Sequence, residues 1–235
     1  GLRDASVAVT TSTETGMIQK TVETNSLETR EVIYNSDGLP ILMDIQRNYG
    51  PSWSRSVSAT IECDTNTGLI VSMSEINAKE IAQYMFDNAS TGMPTHIHVQ
   101  RNYGPLSKRE SWISLEYNNQ TNQLSQSEEV SLHGIKVINY DSNGSPLNGT
   151  LSVEEDGSVW NLTFTCATET HMIEREMAVS ETEQVETFYD TDGVPVRRIT
   201  RTKSGDVWEV ASDETLAEGD EIAQLPGLYG LDIRY

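Results

Sequence analysis

Gln46-Arg47-Asn48-Tyr49-Gly50-Pro51 returns as Gln100-Arg101-Asn102-Tyr103-Gly104-Pro105, 54 residues further along the chain. A second signature surrounds this duplicate: an aromatic, a polar turn, then Gly-x-Pro. It reads Tyr34…Gly38-Leu39-Pro40, Phe86…Gly92-Met93-Pro94, Tyr140…Gly144-Ser145-Pro146 and Tyr189…Gly193-Val194-Pro195. The glycines are 54, 52 and 49 residues apart, a period typical of blade, solenoid or hairpin arrays. A repeat of this kind constrains architecture before any single element is assigned.

Between the signatures the pattern is strand, turn, strand, turn. Val57-Ser58-Ala59-Thr60-Ile61-Glu62-Cys63 alternates strictly, the period-2 mark of a half-buried strand. Asp64-Thr65-Asn66-Thr67-Gly68 then turns the chain, and Leu69–Ser74 returns. Four strands per unit predict about sixteen in all. Ser74–Met85 has helical propensity, but its counterparts in the other units read as strand or turn, so strand-turn-strand is expected there. The expected organisation is a single repeat domain over 1–235. It has an offset half-unit at 5–29 and units at about 30–80, 81–134, 135–184 and 185–235. The last unit is expected to end in a strand over Tyr229–Tyr235.

These features predict an all-β fold: a repeated antiparallel up-and-down meander, strongly curved or closed into a barrel-like sheet. The offset start suits circular closure, which removes exposed edges. A four-bladed β-propeller is the alternative. A hydrophobic content of 36 % suits sheets with one dry and one wet face.

Composition also limits function. Sixteen Lys+Arg against 36 Asp+Glu give a net charge of −20. Nucleic-acid binding, which neutralises phosphates with basic groups, is excluded, and so is a basic patch on an anionic membrane. No run approaches the roughly 20 apolar residues of a membrane-spanning helix. Only 7 % of residues are aromatic, against the aromatic girdles of a membrane porin, so a membrane-spanning chain is not expected. The chain begins at Gly1 without an initiator Met, and export with removal of a targeting signal is the expectation. Cys63 and Cys166 end equivalent alternating strands and are expected to be two buried free thiols that behave as small hydrophobes.

Several motifs invite chemistry. Asp141-Ser142-Asn143-Gly144 and Asp190-Thr191-Asp192-Gly193 resemble the start of a calcium loop, but the twelfth positions are Ser152 and Arg201, where an EF-hand needs Glu. They read as hairpin turns. His96 and His98 are two apart on a predicted strand and share a face at a spacing that can hold a metal with a third ligand. The commoner role of such a pair is two solvated side chains. Trp112, Trp160 and Trp208 recur at intervals of 48, which predicts one strand position in three units. That column is either core or a row of rings offered to a ligand. Tyr49 and Tyr103, inside the duplicated hexapeptide, form a second matched aromatic pair for a ligand. No Gly-x-Ser-x-Gly, His-Glu-x-x-His or phosphate-loop signature is present, and no cofactor is implied.

The Tyr140-Asp141-Ser142-Asn143-Gly144 and Tyr189-Asp190-Thr191-Asp192-Gly193 turns resemble the YD-type repeats of large bacterial surface and toxin-delivery proteins. Taken whole, the array is similar to small secreted gut-Bacteroidetes proteins grouped as a domain of unknown function with a porin-like β-meander. The resemblance implies a curved or closed antiparallel sheet and a secreted, periplasmic or cell-surface protein. It carries no functional residues with it. The functional expectation is an exported, non-catalytic binding or surface-interaction protein, whose partner is a glycan or another surface protein. A structural part of an envelope assembly and a glycan-active hydrolase are the alternatives.

Overall fold

The computed structural model describes residues 5–48, 55–78, 80–86, 93–101, 110–167, 172–191 and 194–216. These residues are all-β. The chain divides into two compact units, Gly1–Tyr103 and Gly104–Tyr235. The first contains β1 (Ser6–Thr11), β2 (Ile18–Thr24), β3 (Glu28–Tyr34), β4 (Pro40–Arg47), β5 (Ser56–Cys63), β6 (Ile70–Ile76), β7 (Glu80–Met85) and β8 (His96–Arg101). The second contains β9 (Glu110–Tyr117), β10 (Leu124–Ser131), β11 (Gly134–Tyr140), β12 (Pro146–Val153), β13 (Val159–Cys166), β14 (Ile173–Val179), β15 (Glu183–Tyr189), β16 (Pro195–Ser204) and β17 (Val207–Thr215). Ser74–Met85 is strand-turn-strand, as its repeat context predicts. The expected strand over Tyr229–Tyr235 lies outside the described residues.

Pairing is antiparallel and consecutive through β1–β8, and likewise through β9–β17. Propeller blades would require a break after every fourth strand. The ladders cross from one sequence unit into the next at β6–β7, β10–β11 and β14–β15 without one, so the four-bladed alternative does not describe these pairings.

Three kinds of turn recur. In the first, an Asx side chain folds back on its own loop. Asn35 Oδ1 accepts the Asp37 and Leu39 amides, both at 2.9 Å. Asp141 Oδ1 accepts those of Asn143 and Ser145 at 2.8 and 2.9 Å. Gly38 and Gly144 take φ near +80°, the left-handed region that favours glycine. The aromatic before each turn then faces the proline across a bulge: Tyr34↔Pro40, Tyr140↔Pro146 and Tyr189↔Pro195. In the second kind, Ser12, Asp64 and Asn118 accept two amides of their own loop. In the third, Asn25, Asn77 and Ser180 cap the short links β2–β3, β6–β7 and β14–β15. The putting of Asn, Asp and Ser at these places is local chemistry: their oxygens mimic a backbone turn.

Register then sorts the faces. In the second unit Leu115, Ser127, Ile138, Gly149, Leu162, Ala178, Val185, Thr200 and Ser212 lie opposite one another across all nine strands. The first seven are buried. In the first unit the matching row is Val9, Thr21, Val32, Met43, Ala59, Glu75, Ala82 and Val99. We call the face carrying these rows the inner face. Its apolar part in the second unit is the cluster of Ile138, Leu151, Leu162, Phe164 and Ala178, with Trp160 and Tyr140 packed against it.

Cys63 and Cys166 form no disulfide and are half-buried rather than fully buried, at equivalent positions on this face where each strand ends. Each thiol donates to a proline carbonyl, Pro40 at 3.7 Å and Pro146 at 3.6 Å.

Gly134 and Gly149 allow β11 and β12 to approach closely. A Cβ at Gly134 would overlap the Ser152 carbonyl oxygen, and one at Gly149 the Val137 carbonyl oxygen. Gly144 meets nothing within 4 Å. Gly149→Ala is therefore expected to cost roughly 1–3 kcal/mol or more by overpacking. Gly144→Ala should cost about 1–2 kcal/mol from backbone strain alone. Urea unfolding midpoints of the two variants test this ordering.

Candidate functional site

The aromatic of each Gly-x-Pro signature reaches back 13 residues to the neighbouring strand. Tyr34 Oη lies 3.1 Å from Thr21 Oγ1, and Tyr140 Oη lies 3.0 Å from Ser127 Oγ. Tyr189 Oη donates to Glu176 Oε2 at 3.2 Å. Where the aromatic is Phe86, the residue 13 before it is Met73, and both belong to one apolar cluster with Ala59. A phenol on a dry face needs a partner, so tyrosine goes with a polar residue and phenylalanine with an apolar one.

The inner face therefore carries charge. In the second unit Glu176 is 2 % exposed. Burial pushes its carboxyl up, while Lys136, the Tyr189 phenol and Arg198 hold it back. Glu176 Oε1 and the Nε and Nη2 atoms of Arg198 are buried without a hydrogen-bond partner. Glu129 lies directly opposite Lys136. The Tyr117 phenol, buried and unpartnered, is pushed up to about 12 by desolvation and by Tyr140.

The first unit repeats the theme by itself. Tyr84 donates to Glu75 Oε2 at 2.9 Å. Burial raises the Glu75 carboxyl against the pull of Tyr84, Arg47 and Arg30. Glu28 pairs with Arg30 at 2.8 Å and with Arg47 at 3.9 Å. The equivalent pair Glu80–Arg101 closes to 3.1 Å. The duplicated Gln-Arg pair thus has a structural role: its arginine meets the acid that opens the strand opposite. Tyr49 and Tyr103 lie outside the described residues.

Among the described residues the outer face of β14–β17 gathers four cations, Arg175, Arg197, Arg201 and Lys203, against two carboxylates, Glu186 and Asp213. Arg175, Phe188, Arg197 and Thr215 form one row, and Met177, Glu186, Ile199 and Asp213 the next. Arg175 and Arg201 both donate to Glu186, at 3.2 and 3.0 Å. Arg197 holds Asp213 through two bonds of 2.8 and 2.7 Å, which keeps the Asp213 carboxyl below its ordinary range. Two rings support the cations. The Arg197 guanidinium lies 5.7 Å from the Phe188 centroid, and the Lys203 ammonium 5.8 Å from that of Trp208.

The predicted tryptophan column separates. Trp112 lies opposite Val130 on the outer face and is 51 % exposed. Trp160, opposite Leu151, packs against the inner cluster and donates to Ser158 Oγ at 3.1 Å. Trp208, opposite Lys203, is on the outer face. The strand ends Tyr117 and Cys166 are 49 residues apart. A spacing of 48 therefore slips by one residue, and one residue reverses the face.

His96 and His98 do share a face, opposite Met85 and Gln83. His96 Nδ1 contacts Thr95 Oγ1 at 3.1 Å and His98 Nδ1 contacts Gln83 Oε1 at 3.4 Å. Among the described residues no group of three or more His, Cys, Asp or Glu side chains is placed to hold a metal. Asp141 commits an oxygen to its own turn, which accounts for its calcium-like spacing.

No family model and no curated protein matches the chain. Among solved structures it is similar to a porin-like protein from Bacteroides uniformis. The two are 11 % identical over 89 % of this chain and 94 % of that one, at a TM-score of 0.33.

Glu176 supplies a pH test. Its unfolded carboxyl titrates in the ordinary range and its folded one higher, so its favourable contribution is present in acid. That contribution fades as pH rises through the raised value. Glu176→Gln, which stays neutral, is expected to gain stability over the wild type at pH 8 and to lose that advantage towards pH 4.5. Urea midpoints at the two pH values measure it, and an equal difference at both would contradict the assignment.

Proposed function

We propose that the protein is an exported, non-catalytic binding protein built on a curved or barrel-like meander, with a surface glycan as its ligand. The supporting observation is where its unusual chemistry lies. The most buried carboxyl group among the described residues, Glu176, is 2 % exposed and closed off from a substrate. The outer face of β14–β17, by contrast, exposes Arg175, Arg197 and Lys203 to solvent, with Arg201 and Trp208 half-buried beside them. Recognition at a surface fits that division better than hydrolysis in a pocket.

The outer face of β9–β13 speaks against a lipid-facing role. One apolar row, Trp112, Val130, Ile135 and Val159, is broken by Ser152. The next rows are Ser114, Glu128, Val137, Thr150 and Asn161, then Glu116, Gln126, Asn139, Asn148 and Thr163. Gln126, Asn139 and Asn148 form a ladder of amide bonds, each 2.9 Å. A lipid-facing strand needs an apolar band about 25 Å tall, and these rows interrupt one.

Screening the labelled protein on a glycan array is expected to give binding to a subset of glycans. Trp208→Ala should weaken that binding about tenfold. An array with no signal above background would overturn the proposal.

A further inference from the structure

We propose that the outer face of β14–β17 binds a polycarboxylate glycan, a chain of uronic-acid residues. This rests on the glycan-binding reading above and names the ligand class. On these strands the outer face carries Arg175, Arg197, Arg201 and Lys203 against Glu186 and Asp213. In a chain of net charge −20, this is a local excess of positive charge on which a polyanion can settle without repulsion.

The arrangement is directional. Arg197, Arg201 and Lys203 project from one side of β16, about 13 and 7 Å apart along the strand. They form a line of cations for an extended chain with repeated carboxylates. Each of the three is steadied by a ring or a clamp: Phe188 lies beneath Arg197, and Glu186 holds Arg201. Lys203 lies over Trp208, so cation and ring together meet one end of the line. Fixing such side chains beforehand reduces the ordering cost of binding.

Arg197 already shows the bond a ligand would make. Its planar fork grips the Asp213 carboxylate through two parallel bonds, the geometry guanidinium prefers for carboxylates. The two side chains are 49 % and 47 % exposed. An exposed pair contributes little to stability, so a ligand carboxylate can displace Asp213. The internal carboxylate thereby acts as a competitor for the site. Its removal should strengthen binding, an effect that a purely structural ion pair would not produce.

The test is titration of the full chain with an oligogalacturonate, the corresponding neutral oligogalactose and dextran sulfate, at low and physiological salt. The expected result is binding to the oligogalacturonate that weakens with salt, with no binding to the neutral oligomer. Arg197→Ala and Lys203→Gln should each lower the affinity about tenfold, and Asp213→Asn should raise it. Lys20→Gln, which removes a cation from a partly exposed pair with Glu31 on β2 and β3, should leave it unchanged. Equal binding of the neutral oligomer would overturn the polycarboxylate assignment while leaving glycan recognition standing. Equal binding of dextran sulfate would overturn selectivity for carboxylate. Affinity unmoved in Arg197→Ala and Lys203→Gln would overturn the location, and no binding to any of the three would overturn the proposal.

Discussion

The pleat of a strand sends neighbouring residues to opposite faces, and the structure depends on keeping that alternation in step across eight or nine strands. A slip of one residue anywhere would bring the wet face into the core. The turns prevent it. At many of the described links an Asx or Ser side chain bonded to its own loop sets the length, and at several a left-handed glycine reverses the chain. The bulge that places Tyr34, Tyr140 or Tyr189 opposite a proline absorbs one residue at the same point each time. With those links set, Leu115 on β9 and Ser212 on β17 fall on one line.

The inner face is not simply dry. It accepts Glu75 and Glu176, although burial disfavours both charges, because a tyrosine on the next strand donates to each and cations stand nearby. Desolvation remains the larger effect, which is why both carboxyls are raised. The outer face of β14–β17 has the opposite economy. Arg197 and Asp213 are about half exposed there and can exchange partners readily, whereas Glu186 is buried between Arg175 and Arg201. Buried charge organises the scaffold, and exposed charge is available to a ligand.

Much of this was legible in the sequence. Strict alternation announced β5 and β13, and the Asp-x-x-Gly spacings read correctly as turns. The repeat also overruled the helical propensity of Ser74–Met85. The site was less legible. The tryptophan interval of 48 looked like a column, yet the local period between equivalent strand ends is 49, so Trp160 turned inward while Trp112 stayed outside. The cation line on β16 was missed because Arg197, Arg201 and Lys203 look like ordinary charges on an alternating strand. A count of same-parity basic residues along that strand was the available signal.

By itself the sequence determined the all-β class, the order of strands and turns and the chemistry of each turn, because those follow from interactions within a few residues. It also implied which strands would pair, since short links leave consecutive strands little choice. Only the tertiary structure decided which side chains from different strands share a face. Tyr189 with Glu176, Lys203 with Trp208 and Arg175 with Arg201 across Glu186 all depend on register. Register is a sum over every intervening turn and bulge, and a single uncertain residue in that sum exchanges the core for the surface.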